Sequence, residues 1–115
     1  MKRINTNAVG IQQGSRVLFS DFVNDGPMWA GQGERECRAI IKFAEAFRDA
    51  PVVHVSIGMW DTDHRHNSRI EISTEDITAR SFCVVFRTWA DTKVARLRVD
   101  WLAIGPTASE DDWLV

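Results

Sequence analysis

The chain has 115 residues, enough for one domain that buries roughly two-thirds of the surface its unfolded form would expose. Its net charge of −2 argues against a general attraction to nucleic acid, so we expect no nucleic-acid partner. No apolar run approaches the ~20 residues of a membrane span, and no apolar core of a secretory signal follows the charged N-terminus. We therefore expect no membrane insertion, and either a cytoplasmic protein or export by lysis, within a particle or by another non-classical route.

Most of the chain alternates apolar and polar residues in the manner of β-strands. Residues 1–13 lack this periodicity and are expected to form an N-terminal arm. Strands are predicted at Ser15–Phe22, Glu34–Phe47, Val52–Met59, Arg69–Ser73, Ser81–Trp89 and Val94–Ile104. Turn-forming Asn, Asp, Gly and Pro lie between several of them. The pattern predicts an all-β fold, a six-stranded antiparallel β-sandwich over residues 14–105, followed by an acidic tail at 106–115.

Several positions within these strands carry further expectations. In the first strand, Val17 and Phe19 are predicted to share a face. The segment 34–47 also has apolar residues at helical spacing, but the alternation that begins at Cys37 favours a strand. The strand 52–59 is expected to be partly buried on both faces. Trp101 is predicted to lie in the core, and Trp60 is expected there too.

The two cysteines, Cys37 and Cys83, can form one disulfide or remain free thiols. Free thiols that behave as small hydrophobic residues are the favoured interpretation, because the chain has no export signal and no paired cysteine spacing.

A polar loop follows the third strand, and loops held by packed strands often carry chemistry. Asp61, Asp63, His64 and His66 have side chains that suit a metal such as zinc, so a metal-dependent hydrolase is one hypothesis. The simpler interpretation is a self-capping turn with solvated polar side chains. Because no serine or cysteine lies in a nucleophile motif, we predict no enzyme activity, no cofactor and no metal.

Trp89 ends a strand beside a polar turn. An exposed indole near Arg and Asp side chains is typical of sugar recognition, since the ring covers the apolar C–H face while charged groups bind hydroxyls. The alternative is that Trp89 packs against a neighbouring strand.

Five blocks of sequence, in order along the chain, carry a resemblance to a known family. They are Ala-Pro-Val-Val-His-Val-Ser-Ile at 50–57, Trp-Asp-Thr-Asp at 60–63, Asn-Ser-Arg at 67–69, Phe-Arg-Thr-Trp-Ala-Asp-Thr-Lys-Val at 86–94 and Asp-Trp-Leu-Ala-Ile-Gly at 100–105. Together they resemble the H-type lectin domain. The resemblance implies a six-stranded β-sandwich that forms a trimer, in some members a hexamer, and binds galactose or N-acetylgalactosamine in clefts between protomers.

The resemblance also implies a carbohydrate-binding site. Arg69 matches the family's sugar-binding arginine, and Trp89 matches the aromatic residue at the end of the penultimate strand. Asp63 lies six positions before that arginine, where some members have an acidic residue. Gln32 replaces an aspartate that the family's snail lectin has in its glycine-rich loop. The predicted carbohydrate-binding residues are therefore Gln32, Asp63, Arg69 and Trp89.

Other positions depart from the snail lectin. Ala90 stands in place of a histidine and Ala95 in place of an aromatic residue, and neither Cys37 nor Cys83 matches the positions of its disulfide. These differences make Gln32 and Ala90 candidate determinants of sugar preference.

We therefore predict a trimeric lectin whose partners are glycans or polysaccharides and further copies of itself. The alternative hypothesis is a structural or adhesion module of a phage-like or secreted particle, which trimerises and contacts surface polysaccharide. In that case the N-terminal arm, or the tail with Trp113 and Leu114, attaches the domain to a larger assembly.

Overall fold

The computed structural model describes residues 1–5 and 8–108. Within them the elements are β1 Val9–Ser20, α1 Pro27–Ala30, β2 Arg35–Lys42, β3 Val52–Thr62, β4 Ile70–Glu75, β5 Ser81–Thr88 and β6 Val94–Pro106. The strands form two three-stranded sheets, ordered β1-β6-β3 and β2-β5-β4. All neighbouring strands pair antiparallel. The predicted six-stranded antiparallel sandwich is confirmed, and the glycine-punctuated segment after the first strand contains one additional helical turn, α1.

The core lies between the two sheets and comes mainly from their central strands. Phe82 and Phe86 of β5, and Leu97 and Val99 of β6, are almost fully excluded from solvent. They alternate with outward-facing residues, because successive side chains of a strand point to opposite faces. Met28 of α1 belongs to the same core. The helical turn is therefore packed onto the sandwich.

β1 starts earlier than the sequence suggested. It begins at Val9, inside the segment expected to be an arm, and pairs with β6 over its whole length. A β-bulge between Val17 and Phe19 directs Phe19 toward the core and leaves Val17 exposed. The prediction that these two residues share a face is wrong, because the regular alternation of a strand fails at a bulge.

The ambiguous segment 34–47 forms β2 and then a loop with two buried aromatic residues. Phe43 and Phe47 pack edge to face, with ring centroids 4.9 Å apart. Phe43 also lies 5.9 Å from the ring of Trp101, and Phe82 lies 5.4 Å from it. The strand assignment and the packing of Trp101 against the core are confirmed.

β3 is an edge strand with one buried face. Val53 and Ile57 pack against the core, whereas His54 on the alternate face is exposed. The expectation of burial on both faces is wrong. Trp60 is 58% exposed, so its placement in the core is also wrong. β-Bulges lie on either side of Trp60, but Trp60 still continues the alternation of His54, Ser56 and Gly58 on the exposed face.

The two cysteines are free thiols on opposite faces of one sheet. Cys37 lies opposite the core residue Phe86, whereas Cys83 lies opposite the exposed Ile40. A disulfide between them would have to cross the sheet, which its short geometry does not allow. Burial, with a smaller contribution from the charge of Asp21, raises the pKa of the Cys37 thiol.

The connections 21–34, 63–69 and 89–93 meet at one end of the sandwich, called here the Trp89 end. They do so because β2 and β4 begin where β1, β3 and β5 finish.

Beyond Ala108, the predicted acidic tail with Trp113 and Leu114 lies outside the described residues. The division of the chain into arm, domain and tail stays a prediction. The described part of the chain contains no helix long and apolar enough to cross a membrane.

Candidate functional site

Arg69 and Trp89 lie on neighbouring strands at the Trp89 end. β4 and β5 pair with Ile70 opposite Thr88, so Arg69 and Trp89 occupy the next position along this ladder. Facing positions of a ladder present their side chains to the same side of a sheet. Ile70 packs on the core and Thr88 is buried, whereas Arg69 and Trp89 are exposed. The sheet therefore places these two predicted site residues at the same end of the β4–β5 pair, both with exposed side chains.

Two buried threonines hold the main chain of Arg69. Thr92 Oγ1 accepts a hydrogen bond from the Arg69 N–H at 2.9 Å and donates one to the Asn67 carbonyl at 2.6 Å. Thr88 Oγ1 donates to the Arg69 carbonyl at 2.6 Å. In contrast, no described residue accepts a hydrogen bond from the Arg69 guanidinium. The backbone is fixed while the charged group remains available to a ligand.

Trp89 lines an open cleft of about 600 Å³ on the outer face of the β2-β5-β4 sheet. Glu34, Glu36 and Glu71 contribute carboxylates to the cleft, and Arg87 contributes a guanidinium. The Trp89 side chain is 38% exposed, so it does not pack away against a neighbouring strand. An indole surrounded by charged hydrogen-bonding groups suits a ligand with both an apolar face and hydroxyl groups.

An ion-pair network borders this cleft. Arg38 lies 3.1 Å from Glu36 and 2.6 Å from Glu75, and Arg87 lies 3.1 Å and 3.5 Å from the same two carboxylates. The hydrogen bond from Arg38 is the main cause of a lowered pKa at Glu75. Among the described residues, Glu71 has no ion-pair partner. The four charged groups of the network pair with one another. Glu71 and Arg69 remain outside it and are free to bind a ligand.

Gln32 lies in the connection between α1 and β2, which is tied to the turn after Trp89. The Gly33 N–H donates to the Ala90 carbonyl at 2.9 Å. Arg35 donates to the same carbonyl at 3.3 Å and to the Gly33 carbonyl at 2.9 Å. Gly33 has a φ of 76°, a left-handed conformation that glycine adopts readily. Gln32 is exposed at the same end, but it does not line the cleft beside Trp89.

Asp63 is also at the Trp89 end, but its carboxylate is buried and already bound. The side chain is 3% exposed. Its Oδ1 accepts hydrogen bonds from the Arg65 N–H at 3.0 Å and Nε at 3.2 Å, and its Oδ2 from Arg65 Nη2 at 3.2 Å. These bonds hold the pKa of Asp63 well below its usual range. Asp63 therefore organises the connection 63–69 from inside.

The two histidines of this connection do not build a metal centre with Asp63. His66 Nδ1 lies 3.2 Å from Asp63 Oδ2 but is not aligned for a hydrogen bond. His64 Nδ1 is 3.8 Å from the other oxygen and its side chain is exposed. Asp61 instead lies 3.6 Å from Arg96. Within residues 1–5 and 8–108, no group of three or more His, Cys, Asp or Glu side chains is arranged to hold a metal ion.

Comparison with known families shows what these features have in common with other proteins. A family model for the H-type lectin domain matches residues 38–104, more than half of the chain. The chain belongs to the H-type lectin domain family. This is a family of carbohydrate-binding domains and not of enzymes, so carbohydrate binding is the general function.

Individual relatives agree with the family assignment. The chain is 52% identical over 106 residues to a Fuscovulum blasticum protein named ATP synthase subunits region ORF 7, covering 92% of each chain. It is 36% identical over 74 residues to discoidin-1 of Dictyostelium discoideum, covering 64% of this chain and 29% of that protein. The structure of discoidin II from the same organism has the same fold, with a TM-score of 0.72 at 24% identity. It is matched over 91% of this chain and 40% of discoidin II, so the chain spans less than half the length of the discoidins.

The H-type lectin motifs predict Arg69 and Trp89 as site residues but give no indication of the residues that hold the main chain of Arg69. Thr88 follows the core residue Phe86 by two positions, so its burial was predictable from strand alternation, and buried hydroxyls are normally hydrogen-bonded. Thr92 lies in a turn, where sequence periodicity gives no indication of burial. The partners of both threonines are known only from the fold.

Proposed function

We propose that this H-type lectin domain recognises galactose- or N-acetylgalactosamine-type surface glycans, or related glycans, in clefts between the protomers of a trimer. The observation that carries the proposal is that the exposed indole of Trp89 and the unbonded guanidinium of Arg69 belong to the same end of the β4–β5 pair. The indole covers the C–H face of the sugar, and Arg69 binds its hydroxyls. Glu71, on the same outer face, offers a further acceptor.

The other two site residues have different proposed roles. Gln32 lies at the rim, tied to the turn after Trp89, and offers an amide that both donates and accepts hydrogen bonds. A neutral amide at this position favours a different set of hydroxyls from a carboxylate. Asp63 acts through the loop it organises, because its own oxygens are occupied by Arg65.

Trimer formation is supported by an apolar strip on the outer face of the β1-β6-β3 sheet. Ile11, Ile104 and Val52 are aligned across the three strands. Ile11 is 66% exposed and Val52 is 49% exposed. Contiguous exposed apolar surface of this kind marks interaction sites. Three sugar sites on one assembly raise avidity by up to ~10²–10⁴ when a glycan array engages them together.

The deciding experiment is a glycan-array screen of the purified protein, with its oligomeric state measured by light scattering. We expect binding to galactose-type glycans by a trimer. Arg69→Ala should abolish this binding and leave the trimer intact, because the side chain makes no contact that supports the fold. Arg80→Ala, which removes an exposed arginine at the opposite end of the sandwich, serves as the matched control and should bind normally.

Two results would contradict the proposal. Unchanged affinity of Arg69→Ala would show that the sugar binds elsewhere. A blank array from a well-folded trimer would favour the alternative function, a structural or adhesion module whose partner is another part of a particle.

A further inference from the structure

A cleft opens between the two sheets on the side of the sandwich formed by β1 and β2, which are edge strands of their sheets. Its volume is about 550 Å³, within the roughly 300–1,000 Å³ of small-molecule sites. Ile41 of the core and Trp101, which packs against the core, contribute apolar surface to it. No residue lines both this cleft and the cleft beside Trp89. It is therefore a separate feature of the surface.

Two side chains of β1 reach across the gap and frame the cleft. Gln12, Gly14 and Arg16 share the inward face of β1, because alternate residues of a strand point to the same side. Arg16 Nη1 donates a hydrogen bond to the Ile40 carbonyl at 2.7 Å. Gln12 Nε2 donates one to the Glu45 carbonyl at 2.7 Å. These bonds link the sheets on both sides of Gly14 before any ligand arrives, which lowers the entropy cost of binding.

Gly14, between the two bridging residues, leaves the indole of Trp101 uncovered. A Cβ at Gly14 would lie 2.9 Å from Trp101 Nε1 and from two carbons of the same ring. No described residue accepts a hydrogen bond from this indole N–H, and its nitrogen is accessible to solvent. An indole nitrogen only donates, so the free N–H suits a ligand that offers an acceptor.

The charges of the cleft are all of one sign. Arg16 and Lys42 line it, and no acidic side chain of the described residues does. Lys42 is exposed and has no described ion-pair partner. Asp100 lies on the outer face of the sheet, where it accepts a hydrogen bond from Ser15 at 2.7 Å and lies 3.3 Å from Arg98. The chain as a whole has a net charge of −2, so this uncompensated positive patch is a local feature. It complements an anion.

We propose that this cleft binds a small organic acid with an apolar body, such as a short-chain fatty acid. The carboxylate accepts charge-assisted hydrogen bonds from Arg16 and Lys42 and a further bond from the Trp101 N–H. The apolar body lies against Ile41 and the indole ring, where its burial adds to the affinity. This proposal does not rest on the sugar site at Arg69 and Trp89, because the two clefts share no lining residue.

The test follows the indole N–H signals of the whole protein by NMR, with Trp101→Phe assigning the signal of Trp101. Hexanoate, 1-hexanol and acetate are added separately. We expect hexanoate to shift the Trp101 signal saturably, with the same apparent affinity in Arg69→Ala. The alcohol and acetate should bind at least about tenfold more weakly, because the first lacks the charge and the second lacks the chain.

Variants of the two cations complete the test. Arg16→Gln should weaken hexanoate binding by at least about tenfold. Lys42→Gln, which removes no contact within the described part of the fold, should weaken it by about threefold. Arg80→Gln removes an exposed positive charge outside the cleft and is the matched control, with unchanged affinity expected. If Arg16→Gln does not fold, the comparison of Lys42→Gln with Arg80→Gln decides.

Three results would overturn the proposal. The first is a Trp101 signal that hexanoate does not move. The second is an affinity for 1-hexanol or acetate equal to that for hexanoate. The third is equal affinity for hexanoate in Lys42→Gln and Arg80→Gln. None of these results bears on the sugar site, which the glycan array tests separately.

Discussion

The position of Arg69 depends on two threonines whose hydroxyl groups are buried. Thr88 binds the carbonyl of Arg69 and Thr92 binds its N–H, so its peptide groups are held from both sides. The two hydrogen bonds fix the main chain of Arg69, and therefore the point on the surface from which its side chain extends.

Replacing Thr92 by valine, which has the same shape, tests this dependence. Thr92→Val leaves the Arg69 N–H and the Asn67 carbonyl without their partner, so the free energy of unfolding should fall by about 1–3 kcal/mol. Sugar affinity should fall with it. Ser68→Ala is the control, since it removes an exposed hydroxyl bonded to Thr62 at 3.3 Å, and should change stability by less than about 0.5 kcal/mol. Urea unfolding measures the stability of both variants. Equal losses of stability in Thr92→Val and Ser68→Ala would contradict the role given to Thr92.

The hydrogen-bonded carboxylate of Asp63 should make the stability of the fold depend on pH. Hydrogen bonds from the Arg65 side chain and N–H hold its pKa below the ordinary value of 3.8. The stabilisation is therefore fully present above that value and is lost as pH falls toward the lowered pKa of the folded state. The stability advantage of the natural protein over Asp63→Asn should be smaller at about pH 3 than at about pH 5. Urea unfolding across this range checks it, and a difference independent of pH would refute it.

At the scale of the elements, strand alternation predicted the core face of the central strands. Phe82 and Phe86 on β5, and Leu97 and Val99 on β6, are buried as expected because both strands are regular. The error at Val17 and Phe19 falls where β1 contains a bulge, and a bulge depends on the pairing partner, which a single strand's sequence does not contain. Trp60 instead follows the regular alternation of β3, on the exposed face.

Gly14 in β1 is predicted to be intolerant of a side chain. A Cβ there would lie 2.9 Å from three atoms of the Trp101 indole. Trp101 is itself packed on Phe43 and Phe82, so moving the indole aside would disturb these contacts. Gly14→Ala should lower the free energy of unfolding by about 1–3 kcal/mol. Gln13→Ala, at the exposed neighbouring position, is the control, and thermal or urea unfolding that ranks the two variants equally would contradict the packing argument.

At the scale of the whole molecule, the two outer faces differ in character. The β2-β5-β4 face carries the ion-pair network of Arg38 and Arg87, whereas the β1-β6-β3 face carries the apolar strip at Ile11. Apolar surface is the better candidate for a contact between copies, because burying it is favourable without a requirement for partners. The trimer is therefore proposed to use the β1-β6-β3 face of each protomer, with the Trp89 end of the neighbouring protomer at the edge of the contact.

Substitution of two isoleucines, one on each face, tests which face forms the trimer contact. Ile11 and Ile40 are exposed to similar extents, but Ile11 lies on the apolar strip and Ile40 on the other sheet. Ile11→Lys should produce monomers, since a buried unpaired charge is costly, while Ile40→Lys should keep the oligomer of the natural protein. Light scattering on both proteins measures this. Dissociation caused by Ile40→Lys alone would place the contact on the opposite face.

The candidate site was predictable from the sequence only in part. The family motifs predicted Arg69 and Trp89 as site residues, and the structure has both at one end of the domain because they flank the same two strands. They gave no sign that the carboxylate of Asp63 is turned inward to Arg65, which follows from the path of a loop.

The three connections at the Trp89 end are fastened by main-chain hydrogen bonds: Gly33 N–H to the Ala90 carbonyl, Asp63 N–H to the Lys93 carbonyl and Asp21 N–H to the Ala95 carbonyl. Such bonds do not depend on which side chains the donor and acceptor residues carry. Exposed side chains such as Gln32 can therefore be exchanged while the frame around them persists. A combinatorial library at these exposed positions would sample new ligand preferences on a constant architecture, as antibody loops do on theirs.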